Sequence, residues 1–220
     1  MDLNKSGVKA PRRYDSRRRQ QQALRSRRAV LETAQQLFLT RGYAATTIAT
    51  IADTADVSVE TIYKAFGGKA GLVRAIWEQG LAGAGPVPAE RRSDEMRALE
   101  TDPRKIIQNW GMLTTEVAPR VAPILLLIRT AAATDPEIAA LQEDVVKAHL
   151  TRMEDNARHL YDRGDLRAGL SLAQARDVMW LYSSPEVYEL LVLRQHWPLE
   201  RFGRFVAESL ATALLPPPSG

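Results

Sequence analysis

The sequence predicts an all-α protein, and three observations support this fold class. Apolar residues recur at helical spacings over most of the 220-residue chain. Capping residues and Gly or Pro breakers divide these stretches into separate helices. No stretch shows the apolar–polar alternation that is typical of a β-strand. With 45% hydrophobic and 25% charged residues, the composition is that of a globular protein that buries a core.

The front of the chain contains four predicted helices in close succession. The first runs from Ala23 to a stop at Gly42, and the second begins at Thr46 or Thr47 and continues to Ala55. The third begins at Ser58 and ends at the Gly67-Gly68 pair, and the fourth covers residues 69–79. The glycine- and proline-rich stretch that follows predicts a mobile loop over residues 80–93.

Helical periodicity then resumes and continues almost to the end of the chain. Each start is marked by a Pro in the first turn or by a cap, which suits the unpaired N–H groups there. The expected helices cover residues 103–117, 119–134, 136–163, 171–182, 185–195 and 198–214. Gly164 and the Pro216-Pro217-Pro218 run are expected stops.

Composition excludes several classes of protein. There is no cysteine, so disulfide scaffolds, thiolate metal sites and thiol nucleophiles are excluded. The longest apolar stretch, Pro123–Ile128, is too short to span a bilayer. The Arg-rich first thirty residues lack the apolar segment of a secretory signal. We therefore expect a cytoplasmic protein that makes no membrane contact.

The positive charge is concentrated at the front. The net charge is +4, but residues 1–28 hold ten Lys or Arg against two Asp, which is +8 and leaves −4 for the rest. We interpret residues 1–23 as a flexible basic arm, because they combine charge and breakers with little apolar periodicity. Such an arm favours a polyanion partner, most often nucleic acid, although a merely solubilising tail has the same composition.

The second and third helices have the size of a helix-turn-helix, in which the second helix enters the DNA major groove. The polar and cationic side chains on these helices can reach base edges or phosphates, and the helix N-termini present free N–H groups to phosphate oxygens. The predicted DNA-binding residues are Thr46, Thr47, Ser58, Val59, Glu60, Thr61, Tyr63, Lys64 and Lys69.

Residues 28–72 resemble the N-terminal domain of the TetR family of transcriptional regulators. The resemblance rests on Leu-Phe…Arg-Gly-Tyr at the end of helix one, Thr-Thr-Ile…Ile-Ala across the turn, and Val-Ser…Thr-Ile-Tyr…Phe in the recognition helix. It implies a regulator, expected to be a repressor, that binds double-stranded DNA at a palindromic operator as a homodimer. The implied organisation is the arm (1–23), a helix-turn-helix domain (24–80) and a helical ligand-binding and dimerisation domain (81–220).

Two positions depart from the family pattern. Asp56 stands where the family usually has Gly, and Asp tolerates the left-handed conformation that such a turn needs. Glu60 stands where the family often has a small or basic residue. Its carboxylate either accepts a hydrogen bond from a cytosine or only stabilises the helix N-terminus, and both roles remain open.

For the rear domain, the resemblance implies a small-molecule effector held inside a helical bundle. Large or adaptable side chains from separate helices predict a largely apolar pocket, and the same residues also suit a plain core. The predicted ligand contacts are Trp77, Trp110, Leu113, Met179, Trp180 and Tyr182, with Met112 and the polar Gln108, Asn109 and Arg129 as weaker candidates. The apolar last two helices fold back on their own bundle or pack on a second subunit, and the resemblance implies the second.

No catalytic or metal-binding pattern is present in the sequence, so we expect neither enzyme activity nor a cofactor. His149 and His159 lie ten residues apart, which does not place them on one helix face at metal-ligand spacing. The alternative function is a sequence-independent architectural nucleic-acid-binding protein that relies on the basic arm. A third possibility is a ligand-binding bundle whose front domain no longer binds DNA.

Overall fold

The structure of the protein, a computed structural model, describes residues 12–217 and gives side chains from residue 20 onward. The all-α prediction is confirmed, since these residues form ten α-helices and one π-helical segment and contain no strand. The α-helices are α1 (Arg12–Arg41), α2 (Ile48–Thr54), α3 (Val59–Phe66), α4 (Lys69–Ala82), α5 (Ala89–Leu99), α6 (Pro103–Ala131), α7 (Pro136–Asp162), α8 (Leu172–Tyr182), α9 (Pro185–Tyr188) and α10 (Leu199–Leu214). The π-helical segment, Glu189–Arg194, continues α9.

The predicted caps are observed in the front helices. Of the two candidate residues, Thr47 caps α2, and its side-chain oxygen accepts a hydrogen bond from the Thr50 N–H at 3.1 Å. Ser58 caps α3 in the same way, with the Thr61 N–H at 3.1 Å. Gly67 ends α3 in the left-handed conformation. Each cap satisfies an N–H or carbonyl group that the helix itself leaves unpaired.

The first helix and the predicted loop differ from expectation. Helix α1 begins at Arg12 rather than Ala23, so residues 12–23 of the predicted flexible arm are helical, and residues 1–11 lie outside the described part. The predicted loop over 80–93 shrinks to residues 83–88, because α4 continues to Ala82 and α5 begins at Ala89. Helix α5 buries only Ala89 and Ser93, which is too weak an apolar pattern to be recognised in the sequence.

Helix α6 is one element where the sequence predicted two. It continues through Pro119 and Pro123, each of which removes one backbone hydrogen bond from the helix interior. Packing on both sides compensates, because α6 contacts α4, α5, α7, α9 and α10. By length and composition α6 also meets the criteria for a membrane span, with a mean hydropathy of 1.4, whereas Pro123–Ile128 alone is too short. A helix at the centre of a bundle meets the same criteria.

Two hydrophobic clusters form the core, and their boundary does not follow the predicted domain boundary at residue 80. The first cluster joins α1–α4 to the second half of α6 and the first half of α7. The second joins the first half of α6 and the second half of α7 to α8, α9 and α10. The front helices therefore pack directly on the two long helices that form the frame of the rear bundle.

The last helix packs inside its own subunit. Helix α10 crosses α6 at Gly111 and Gly203, where an added Cβ on Gly203 would lie 2.7 Å from the Gly111 carbonyl oxygen. The close approach buries Phe202, Val206, Leu210 and Leu214. The buried face of α10 therefore packs within the subunit, and a homodimer through the C-terminal helices stays a prediction.

Candidate DNA-binding surface and ligand cavity

The recognition helix α3 packs on the domain core through one face and exposes a mostly polar opposite face. Ile62 on α3 is completely buried, whereas most of the predicted contact residues are exposed. These exposed residues are Thr47, Ser58, Val59, Glu60, Thr61, Tyr63 and Lys64. Tyr63 has 53% of its surface exposed, which leaves its phenolic hydroxyl free to meet a phosphate. The exposed set forms the candidate DNA-binding surface.

The turn between α2 and α3 contains the unusual Asp56. Its φ is +52°, so the residue adopts the left-handed conformation expected at this position. The Val57 N–H donates to the Ala52 carbonyl at 3.0 Å and closes the turn. The turn geometry of a helix-turn-helix is therefore kept without a glycine.

Thr46 lies inside the domain and not on the DNA-binding surface. It is completely buried, and its hydroxyl contacts the carbonyls of Gly42 at 2.8 Å and Leu37 at 3.2 Å. These bonds cap the end of α1 and fix the connection to α2. We therefore remove Thr46 from the candidate DNA contacts and assign it a positioning role.

Lys69 is held by the protein, although the sequence suggested a free cation. Its Nζ donates to the Tyr43 carbonyl at 2.7 Å and lies 4.1 Å from the centre of the Tyr43 ring. Burial lowers the pKa of Lys69, and the nearby Asp135 carboxylate opposes this shift. The Tyr43 hydroxyl in turn donates to Asp135 Oδ2 at 2.8 Å. Asp135 caps α7, so this group of residues ties the helix-turn-helix to the rear bundle.

Arg27 supports the recognition helix from α1. Its guanidinium lies 4.4 Å from the centre of the Phe66 ring and donates to the Ala65 carbonyl at 3.3 Å. Both contacts are at the C-terminal end of α3, where carbonyl groups lack helical partners and attract a cation. In the sequence, Arg27 is only one of the ten Lys and Arg residues within residues 1–28.

Behind the front domain, the rear bundle encloses a largely apolar cavity of about 340 Å³. Helices α4, α5, α6, α7, α8, α9 and α10 all contribute to its walls. This volume is in the range of small-molecule sites in proteins. Aromatic side chains from four helices line it: Trp77, Trp110, Tyr188 and Phe202.

The structure separates the predicted ligand contacts into two groups. Trp77, Trp110, Leu113 and Met179 line the cavity. Trp180 and Tyr182 do not, since Trp180 is 38% exposed and the Tyr182 ring packs edge-on against Phe205. Of the weaker candidates, Arg129 pairs with Glu186 and Glu189, and Met112, Gln108 and Asn109 also lie outside the cavity wall.

The polar side of the cavity was missed in the sequence. His149, Arg152 and Asn156 line it from α7 at helical spacings, on the same face as Met153. The helical spacing of these polar residues is the signal in the sequence, but periodicity alone does not show that this face of α7 points into a cavity. Burial lowers the pKa of His149 to about 4, which makes the imidazole neutral at physiological pH.

Sequence comparison places the front domain in a known family. Residues 30–76 match the family model for bacterial regulatory proteins of the tetR family. A relative from Bacillus subtilis (strain 168), the uncharacterized HTH-type transcriptional regulator YvkB, is 37% identical over 70 residues. That match covers 32% of this chain and 37% of the relative, so the chain is matched over little more than a third of the relative's length.

Solved structures extend the likeness to almost the whole chain at the level of fold. The SmeT–triclosan complex has a TM-score of 0.67 and 21% identity over 87% of this chain and 92% of that one. NalD of Pseudomonas aeruginosa, the secondary repressor of the MexAB-OprM multidrug efflux pump, has a TM-score of 0.68 and 16% identity over 89% and 98%. The front domain, residues 30–76, is therefore similar to bacterial regulatory proteins of the tetR family, and the rest of the chain is similar to these solved structures in fold alone.

Proposed function

We propose that this protein is a transcriptional repressor that binds a palindromic DNA operator as a homodimer and leaves it when a small, largely apolar ligand enters the cavity. The observation that carries the proposal is the position of α4. This helix begins at Lys69, next to the end of the recognition helix, and contributes Trp77 and Leu81 to the cavity wall. Fourteen residues of helix span about 21 Å, so one rigid element connects the two sites.

Ligand binding acts on DNA through this connection. A ligand that pushes on Trp77 shifts α4. Helix α4 packs tightly against the end of α3 at Gly71. A Cβ added to Gly71 would lie only 1.7 Å from the Phe66 carbonyl oxygen, so the recognition helix must move with α4. A tenfold loss of operator affinity requires about 1.4 kcal/mol of coupling.

The homodimer is expected to use the surface that follows residue 179, because α10 is occupied inside the subunit. Large apolar side chains are exposed there on α8 and on the π-helical segment: Trp180, Leu181, Leu190 and Leu193. Concentrated apolar exposure of this kind marks an interaction surface. Two-fold symmetry would then present two recognition helices to the two halves of an operator.

The first experiment is selection of bound sequences from a random DNA duplex pool with the full chain at about 150 mM salt. An enriched inverted repeat with two equal halves supports a dimeric regulator and yields the operator for all later assays. Binding without an enriched sequence would support the architectural alternative, in which the basic N-terminal region carries the affinity.

A charge variant separates these two outcomes further. Because residues 12–23 belong to α1, deleting them would damage a helix, so Arg17, Arg18 and Arg19 are better replaced together by Gln. For a regulator, we expect weaker operator binding with unchanged sequence preference, and a salt dependence reduced by about 0.9 for each lost phosphate contact. Loss of nearly all binding would contradict the regulator model.

A further inference from the structure

We infer that the cavity takes a neutral, mostly apolar ligand carrying one hydrogen-bond-donating group, such as a phenol or alcohol, which it presents to His149. This inference rests on the proposed ligand-binding function and names the chemical class of the ligand. It is carried by the hydrogen bonds and charges of the polar residues in the cavity wall.

The charged groups at the cavity wall are already paired with one another. Arg152 donates to Asp94 Oδ1 at 2.7 Å, and Glu90 Oε1 lies 3.5 Å from the same guanidinium. Arg97 binds Asp94 at 3.1 Å and also donates to the Asn156 side-chain oxygen at 3.0 Å. Two cations and two carboxylates therefore balance. A charged ligand therefore meets no unpaired counter-charge among these four residues.

The imidazole of His149 also lies on the cavity wall and carries a possible hydrogen-bond acceptor for a ligand. Its Nε2 lies 2.8 Å from Ser183 Oγ, while the Ser183 hydroxyl lies 2.8 Å from the Met179 carbonyl, which only accepts hydrogen bonds. We assign the serine proton to the Met179 carbonyl, and with this assignment Oγ accepts from the Nε2–H of His149. A neutral imidazole with its proton on Nε2 has an unprotonated Nδ1, which is a hydrogen-bond acceptor.

The acceptor at Nδ1 is open to a ligand. No described residue donates a hydrogen bond to Nδ1 of His149. Among the described residues, the one side-chain nitrogen or oxygen that is both inaccessible to solvent and unpaired is His159 Nε2, so Nδ1 of His149 is not inaccessible. Nδ1 is therefore reachable by a water-sized group, and His149 lines the cavity. A ligand hydroxyl that donates to Nδ1 gains a hydrogen bond in a mostly apolar environment, where such a bond is strong.

The other walls determine the rest of the ligand. Trp110 lines the cavity with its ring, while its only N–H is used on Ser93 Oγ at 3.1 Å. Thr114 likewise lies on the wall but donates its hydroxyl to the Trp110 carbonyl at 2.9 Å. The Trp110 and Thr114 side chains therefore offer aromatic and aliphatic contact and have no free side-chain donor, which suits an aromatic ring or alkyl chain.

The test is calorimetric titration of the full chain with four matched probes: para-hexylphenol, its methyl ether, para-hexylbenzoate and para-hexylphenyltrimethylammonium. We expect the phenol to bind roughly 3- to 10-fold more tightly than the ether, which lacks the donor. The carboxylate and the ammonium probe should bind more weakly than the ether. Equal affinity of phenol and ether, tighter binding of either charged probe, or no binding of the phenol would overturn the inference.

Two variants of His149 distinguish the hydrogen bond from general packing. His149→Asn places an amide oxygen near the position of Nδ1 and should keep the preference for the phenol over the ether. His149→Gln places its amide near Nε2 and should lose that preference while still binding the ether. Thermal unfolding checks that both variants fold. The opposite pattern would overturn the inference, whereas phenol binding that leaves operator affinity unchanged would contradict the proposed repressor mechanism instead.

Discussion

At the scale of single residues, side chains that sequence reasoning treated alike have different roles. Thr46 and Thr47 are neighbours, but the first is buried against two carbonyls and the second caps α2 at the surface. Lys64 and Lys69 are both cations of the front domain, but only Lys64 is exposed, because Lys69 is bound to Tyr43. Burial and hydrogen bonding, rather than residue type, decide which of them can contact DNA.

Asp56 gives the first test at this scale. Asp56 has a φ of +52°. Asp tolerates this left-handed conformation, Gly adopts it without strain, and a β-branched residue is strained in it. We expect Asp56→Val to lower the free energy of unfolding by roughly 1–2 kcal/mol. Asp56→Gly, as the matched control, should unfold within about 0.5 kcal/mol of the natural chain. Urea unfolding measures both, and equal loss in the two variants would show that the turn conformation is not the cause.

His149 makes the stability depend on pH. Its folded pKa of about 4 lies below the usual histidine pKa of 6.5, so the unfolded chain binds a proton that the folded chain excludes. Stability is therefore complete above about pH 6.5 and decreases as the pH falls towards 4, by up to about 3 kcal/mol. The pKa of His159 is lowered as well, so it also contributes to the loss of stability in acid. The contribution of His149 is therefore the difference between the acid losses of the natural chain and of a His149 variant. Denaturant unfolding at several pH values should show a weaker acid loss for His149→Gln than for the natural chain.

At the scale of elements, helix contacts depend on a few positions where no side chain fits. Helix α4 approaches the end of α3 at Gly71, and α6 crosses α10 at Gly111 and Gly203. None of these three glycines has a positive φ, so the sequence shows no turn signal for them. Glycine is required at these positions because the backbone of a neighbouring helix, distant in sequence or across a turn, lies where a Cβ would be.

Substitution of Gly71 tests the contact between α3 and α4. We expect Gly71→Ala to lower the free energy of unfolding by about 2 kcal/mol and to weaken operator binding, because the new Cβ collides with the Phe66 carbonyl and displaces the recognition helix. Gly80→Ala lies in the same helix and is the milder comparison, since its Cβ would lie 3.1 Å from Val121 Cγ2 and 3.2 Å from the Arg120 carbonyl oxygen, so the neighbours need to shift by only a few tenths of an ångström. Unfolding and gel-shift assays measure both variants. Similar losses of stability and of operator affinity in the two variants would show that the close α3–α4 contact at Gly71 is not their cause.

At the scale of the whole molecule, the helix-turn-helix domain and the rear bundle share the first of the two hydrophobic clusters. The hydrophobic cluster of α1–α4 continues into α6 and α7, and the Tyr43–Asp135 hydrogen bond crosses the same boundary. Movement of α6 or α7 around a ligand therefore reaches the helix-turn-helix by packing as well as through α4.

The Tyr43–Asp135 hydrogen bond can be tested as part of this connection. We expect Tyr43→Phe and Asp135→Asn each to lower the free energy of unfolding by about 1 kcal/mol, and the double variant to lose less than their sum. Neither residue lines the cavity, so ligand affinity should stay the same while the ligand's effect on operator affinity becomes smaller. A calorimetric titration and a gel shift with and without ligand separate the two quantities. Additive losses would show that the residues do not act as a pair.

The proposed subunit interface gives a prediction for the assembly. Leu181→Arg and Leu190→Arg, at positions each 54% exposed, should convert the homodimer into monomers and weaken binding to a two-half operator. Leu99→Arg is the control, because Leu99 is 85% exposed but lies outside this surface. Analytical ultracentrifugation measures the oligomeric state. A dimer that survives both substitutions would place the interface elsewhere.

Local patterns in the sequence were enough to predict the all-α fold and the helix caps, while the predicted DNA contacts, most of which are exposed, stay predictions. These features depend on residues within about four positions of one another, which the sequence displays directly. The continuity of α6 through two prolines, the inward packing of α10 and the polar wall at His149 appeared only in the tertiary structure. They depend on contacts between helices far apart in the chain, and those contacts outweigh local signals because packing contributes more free energy than propensity.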